Sequence, residues 1–252
     1  MSSGLVTVVD EDFVEEMRGH VSGVEGVDLL VACRDNIGLF ARHMLGFELR
    51  SWQIRACVEV EKKLRGEAGW SDLCLCTSRQ VGKSFLLALL ALHGCVFNTR
   101  PFGAHNDTMV GVISASQDQA QKLVEEVRKL MRAGDEFMLE EHGVDKFFSR
   151  LVDSGGRNNQ TCISFRAHDA SVHGDVVLGG SGNGSVIECF PPTTKVLGLT
   201  LSYVFIDEAA KSERISDEFV YDYVYPTGNV ADAVRVYTST PWQPSGFFYE
   251  MV

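Results

Sequence analysis

Apolar residues recur at Ala120, Leu123, Val124, Val127, Leu130 and Met131. That spacing, i, i+3, i+4, i+7, i+10 and i+11, places all six on one face of a helix. Ser116-Gln117-Asp118-Gln119 precedes the pattern in the form of a capping box, Ser followed three residues later by Gln. The opposite face mixes Lys122, Arg128, Lys129 and Arg132 with Glu125 and Glu126. Residues 85–92, Phe-Leu-Leu-Ala-Leu-Leu-Ala-Leu, are apolar all round and predict a buried helix. Short apolar runs predict strands at 73–76, 110–115, 161–165, 185–190, 201–206 and 234–241. Ser51 is placed to cap a helix running to about Arg65, with Trp52, Val58 and Leu64 on its buried side. Residues 66–69 read as a turn. Residues 1–48 read as helical and partly exposed, with acids at Asp10, Glu11, Asp12, Glu15 and Glu16. This mixture of strands and helices predicts an α/β fold.

At 252 residues the chain is long enough for one large α/β domain with a real core. Apolar residues make 45% and charged residues 23%, ordinary for a globular protein. No apolar run approaches the ~20 residues of a membrane span. The start, Met1-Ser2-Ser3-Gly4, lacks the basic and apolar parts of a signal peptide, so a cytosolic location is expected. Of seven cysteines, Cys74, Cys76 and Cys95 fall in apolar elements, and Cys33 and Cys57 in helix-like stretches. No C-x₂-C pair occurs, and Cys74 and Cys76 are expected on opposite faces of a strand. Buried, reduced thiols are the favoured reading over zinc or disulfides. The net charge of −11 counts against a free-standing nucleic-acid binder, so any DNA contact is expected to be local, transient or shared. The mixed-charge helix face reads as solvated in preference to DNA-facing.

Thr77-Ser78-Arg79-Gln80-Val81-Gly82-Lys83-Ser84 sits between a predicted strand and a predicted helix. Its Gly-Lys-Ser ending in that context predicts a P-loop, with backbone N–H groups and a helix N-terminus facing a polyphosphate. Lys83 would reach the β and γ phosphates, and the Ser84 hydroxyl would bind Mg²⁺. Thr77 stands where the usual pattern has its first Gly. The alternative is a plain turn before a helix. Gly179-Gly180-Ser181-Gly182-Asn183-Gly184 lacks a Lys and a following helix, so it reads as a loop.

The run from Leu201 ends in Asp207-Glu208. An acidic pair after a strand is often only a helix N-terminus. Following Lys83 and Ser84 in order, it fits a Walker B element, with Asp207 for Mg²⁺ and Glu208 to polarise an attacking water. Thr238-Ser239-Thr240-Pro241 ends a further strand in hydroxyls, where a helicase-like motor senses a γ phosphate.

In this order the pieces resemble the ATPase domain of the large terminase subunit of tailed bacteriophages. Ser51-Trp52-Gln53 looks like its adenine-recognising motif, with Gln53 on the base. Residues 78–84 look like its deviant Walker A, and residues 204–210 like its Walker B. Thr238-Ser239-Thr240-Pro241 and Gly246-Phe247-Phe248-Tyr249 look like its coupling motif and the helix after it. The resemblance covers residues 51–250 and implies a P-loop NTPase of ASCE type. Its mostly parallel sheet would carry Walker A and Walker B on neighbouring strands. Residues 1–50 would be an N-terminal helical segment and 51–252 the ATPase domain.

The resemblance also implies ATP, Mg²⁺, double-stranded DNA, a portal protein, a small terminase subunit and a ring, of five subunits, in the host cytoplasm. The family's C-terminal nuclease domain is expected to be absent. Glu208, Lys83 and Arg79 would be catalytic. Gln53, Ser78, Arg79, Gln80, Val81, Gly82, Lys83, Ser84 and Thr240 would hold the nucleotide, and Ser84 and Asp207 the metal. The family often places Arg-Gly shortly before Walker B. Here Leu197-Gly198 stands there, which leaves Lys195, Arg166 and Arg157 as substitutes. Two other readings stay open: a helicase-like P-loop motor, and a non-catalytic nucleotide switch or scaffold. A nucleotide kinase is disfavoured by the Asp-Glu pair.

Overall fold

A computed structural model describes residues 27–100, 107–114, 116–165, 184–196, 198–210, 215–228, 233–241 and 245–252. The described chain begins with α1 (Val27–Asp35), α2 (Ile37–Leu45) and α3 (Ser51–Leu64). Strand β1 (Asp72–Cys76) leads through the glycine-lysine loop into α4 (Lys83–Val96). β2 (Met109–Ser114), α5 (Gln117–His142) and α6 (Phe147–Leu151) follow. Then come β3 (Cys162–Ser164), β4 (Val186–Phe190) and β5 (Tyr203–Asp207). Residues 217–228 form α7, whose middle turn, Val220–Val224, is a π-helix. β6 (Val234–Ser239) and α8 (Phe247–Met251) complete the described chain.

The six strands form one sheet in the order β1-β6-β5-β2-β4-β3. All neighbours are parallel except β3, which runs antiparallel to β4. Apolar side chains on one face pack with α2, α3, α4, α5 and α6, and those on the other face with α7 and α8. With both faces covered, the central strands β5 and β2 carry near-continuous apolar runs, as a parallel sheet requires. This is the P-loop NTPase architecture of ASCE type expected from the sequence.

α4 fixes the site. Leu86 to Leu92 are all buried, each Leu contributing about 1.5–3 kcal/mol. That burial locks the helix register and so the positions of Lys83 and Ser84 in its first turn. On α5 the six predicted residues are all buried. Ser116 caps the helix by accepting from Gln119 N–H, but the return bond of the box is missing, because the Gln119 carboxamide accepts from Ser114 Oγ instead.

The structure corrects several expectations. Walker A and Walker B do not lie on neighbouring strands, since β6 runs between β1 and β5. Arg50, not Ser51, occupies the N-cap position of α3, without a side-chain cap; its N–H donates to Gln53 Oε1. The buried residues of α3 are Gln53, Ala56, Cys57, Val60, Glu61 and Lys63, while Trp52, Val58 and Leu64 are only half-buried. α2 is core rather than partly exposed: Ile37, Phe40, Ala41 and Met44 are fully buried. α2 and α3 therefore share one core across residue 50. Cys74 and Cys76 pack against the same cluster, as residues two apart on a strand must. All seven cysteines are free thiols.

Candidate nucleotide site

The loop after β1 turns on two left-handed residues, Gln80 at φ 59° and Gly82 at φ 95°. Gly82 is required twice over, because a Cβ there would meet Gln53 Nε2 at 2.9 Å. Thr77 is not left-handed, so the backbone has no need of glycine at that position. Lys83 is buried, and its Nζ donates to the carbonyls of Ser78 at 2.9 Å and Thr77 at 3.4 Å. An ammonium has three N–H donors. Two tie the loop's entrance to its exit, and one remains for an anion. Ser78, Arg79 and Gln80 are exposed on the loop's rim.

Asp207, at the end of β5, is the centre of the polar contacts. Its Oδ2 accepts from Ser84 Oγ at 3.4 Å. Its Oδ1 accepts from Thr238 Oγ1 at 2.7 Å and from Glu208 N–H at 2.9 Å. The intervening β6 does not separate the two motifs, because α4 crosses the sheet to pack on β5 and β2. Thr238 stands in register with Asp207 and orients it from the strand between. Glu208 follows at φ 55°, a left-handed turn that redirects the chain just after the metal-type carboxylate. Among the described residues no three His, Cys, Asp or Glu side chains gather as a metal cluster. A hydroxyl and one carboxylate nevertheless suit Mg²⁺, which keeps waters and takes phosphate oxygens as its other ligands.

α3 grips the loop from its other side. Gln53 Nε2 donates to Gly82 C=O at 3.3 Å, and its Oε1 accepts from Arg50 N–H at 2.9 Å. Arg50 Nη1 donates to Val81 C=O at 3.2 Å. Sequence reasoning found Gln53 but missed Arg50, whose role depends on tertiary placement. It also singled out Thr240 where Thr238 makes the bond to Asp207. Thr240 is buried at the end of β6. The tail of β5 is laced to that strand: Ala209 N–H donates to Thr238 C=O, Ala210 N–H to Ser239 Oγ, and across the other edge Thr77 N–H to Ser239 C=O.

Of the arginine-finger candidates, Arg166 lies outside the described residues, as do Leu197 at the family's arginine position and most of the glycine-rich loop at 179–184. Arg157 forms a bidentate pair with Glu188 of β4, at 3.0 and 2.9 Å. Lys195 is exposed on a short 3₁₀ turn, Thr194–Val196, and Gly198 is left-handed at φ 82°. On α5, Arg128 donates to the carbonyls of Asn159 and Cys162, while Lys129 pairs with Glu126 and Arg132 with Glu125. These three cations have partners within the chain.

The family described as terminase large subunit, T4-like virus type, N-terminal, matches residues 74–252. This chain belongs to that family. In structure the terminase chain is similar to the large terminase ATPase domain of Thermus phage P74-26, in a mutant form. The TM-score is 0.56 at 18% identity, covering 83% of this chain and 71% of that one. It is also similar to the large terminase of bacteriophage HK97, with TM-score 0.55 at 13% identity. That match covers 82% of this chain but only 37% of the other. At such identities the likeness concerns the fold. No curated protein matches in sequence.

Proposed function

We propose that this terminase chain is the ATP-hydrolysing motor domain of a large terminase subunit, driving double-stranded DNA into a procapsid. The carrying observation is the meeting of Ser84 and Asp207 across 123 residues of sequence, beside Lys83 and under a loop that opens onto the N-terminus of α4. Lys83 and the loop N–H groups hold the phosphates, and Arg79, exposed on the rim, approaches the terminal one. Gln53 and Arg50 steady the loop, and Gln53 also serves the adenine.

Ser84 and Asp207 would hold Mg²⁺, which when bound would neutralise charge on the phosphates. Glu208 takes the proton of the attacking water and orients it toward the terminal phosphorus. The bonds joining Ala209 and Ala210 to Thr238 and Ser239 then pass a change at the phosphates from β5 to β6. The family reading supplies the partners: portal, small terminase subunit, and a homo-oligomeric ring whose neighbour completes the site. Among the described residues no helix is long and apolar enough to cross a membrane.

The site is tested by nucleotide binding with and without Mg²⁺. Ser84→Ala and Asp207→Asn should each abolish the increase in ATP affinity that Mg²⁺ gives wild type. Unchanged Mg²⁺ dependence in both would remove the metal assignment.

A further inference from the structure

Away from the nucleotide loop, a cavity of about 220 Å³ opens among α1, α3 and the segment that follows α4. Lys83 begins α4, whereas Thr99 and Arg100 lie just past its other end. At 1.5 Å per residue the cavity is therefore roughly 20 Å from the loop. Three arginines line it, one from each element: Arg34 in the last turn of α1, Arg65 at the end of α3, and Arg100. Arg34 donates two N–H groups to Asp35, at 2.8 and 3.1 Å, and Arg65 donates one to Glu67 at 2.9 Å. Each guanidinium has five. Both pairs stand at the surface, where water and salt weaken them. A phosphate oxyanion matches the planar fork of arginine and competes well for such donors.

Glu61 lines the same cavity and is only 7% exposed. Its Oε1 accepts from Ile37 N–H at 2.7 Å. Its Oε2 makes no hydrogen bond among the described residues and is not sealed off, so it opens to the cavity. Burial raises this carboxyl to about 7. A protonated Oε2 is a donor. The charged groups around it are Arg34 and Asp35 of α1, Arg65 of its own helix, and Arg100. Arginines and aspartates do not ordinarily titrate near neutrality. His93 of α4, held at the carbonyls of Cys33 and Arg34, is pushed down to about 4 by burial, and burial pushes the Cys57 thiol up. Glu61 is therefore the group at this cavity whose charge changes around pH 7.

We propose that the cavity is a second anion site, which binds a phosphate group between the Arg34, Arg65 and Arg100 guanidiniums and the Glu61 carboxyl. The site is independent of the nucleotide reading. Its ligand is the same oxyanion from one of two sources, free phosphate or the backbone of DNA. Three arginines at one cavity give a chain of net charge −11 a local place to hold such a group. Once Glu61 ionises, the anion meets a second carboxylate beside Asp35, so binding weakens as pH rises through about 7.

The test is calorimetric titration with sulfate, a tetrahedral dianion that does not itself titrate between pH 6 and 8. Each titration is run in wild type and in Lys83→Ala, which removes the loop's own claim on the ion. Sulfate should bind about tenfold more weakly at pH 8 than at pH 6, the ratio of protonated fractions for a carboxyl near 7. Glu61→Gln, whose carboxamide donates at either pH, should bind at pH 8 as tightly as wild type does at pH 6. That gain cannot come from damage to the fold. Arg34→Ala, Arg65→Ala and Arg100→Ala should each weaken sulfate about tenfold or more at pH 6, and leave ADP affinity within about twofold. A short DNA duplex, followed by fluorescence anisotropy, separates the sources. Weaker binding in the same arginine variants assigns the site to the DNA backbone, and indifference to them assigns it to free phosphate. No sulfate binding by wild type, or binding that Lys83→Ala abolishes and the arginine variants spare, would overturn the site. So would a Glu61→Gln protein that keeps the wild-type pH dependence.

Discussion

Gly82 answers two demands at once: a φ of 95°, and a contact with Gln53 Nε2 that a Cβ would bring to 2.9 Å. Strain at such an angle costs a non-glycine residue about 1–2 kcal/mol, and the clash displaces the Gln53 clamp. Gly82→Ala should therefore lower ATP affinity about tenfold or more in a protein that stays folded, read by titration calorimetry beside circular dichroism. Glu61 carries a different signal. It is buried on α3, accepting from Ile37 N–H at 2.7 Å, and burial raises its carboxyl to about 7 from the usual 4.5. The folded state thus retains a proton that the unfolded chain releases between about 4.5 and 7, and stability falls as pH rises through that window. Glu61→Gln keeps the acceptor without the charge. It should be more stable than wild type by roughly 1–3 kcal/mol at pH 8 and about equal to it near pH 4.5, as read from denaturant melts. At this scale Lys83, Ser84 and Asp207 were legible in the sequence because each sits beside a strand or helix that its neighbours announce. Arg50's bond to the loop and Thr238's bond to Asp207 were not, because each depends on segments far apart in the chain.

Elements were legible where their pattern is local. The α5 periodicity and the apolar strands were read closely, though the pattern ends at Met131 while the helix runs on to His142. On α3 bulk does not mark burial: Trp52 and Leu64 are half-buried, while Gln53 and Glu61 go inside to bind backbone. Sheet order was not legible: β1 pairs with β6 some 160 residues later, and the insertion of that strand between the two motifs has no local signature. The packing of α5 against α2 and α6 offers a test. A Cβ at Gly134 would lie 2.4 Å from the Phe148 ring and 2.7 Å from Leu45. Both neighbours are buried, so neither can swing out. Alanine gains about 0.5–1 kcal/mol in helix propensity, but overpacking costs about 1–3 kcal/mol. Gly134→Ala should therefore lower the melting temperature, and an unchanged or raised value would show that the three helices are less closely packed than described.

For the whole molecule, the sheet brings the loop, the carboxylates and the hydroxyl-rich strand end to one edge, while the charge of −11 gives no general attraction to DNA. If, as proposed, the chain acts in a DNA motor, its grip on DNA would come from local surfaces, and a neighbour's arginine could supply ~10³–10⁵ in turnover. The most direct measurement is phosphate release from ATP with Mg²⁺ across a range of protein concentrations, for wild type, Lys83→Ala and Glu208→Gln. The account predicts release that rises more steeply than linearly with wild-type concentration and falls at least ~100-fold in both variants, with Glu208→Gln still binding ATP. Turnover that survives in both variants would contradict it.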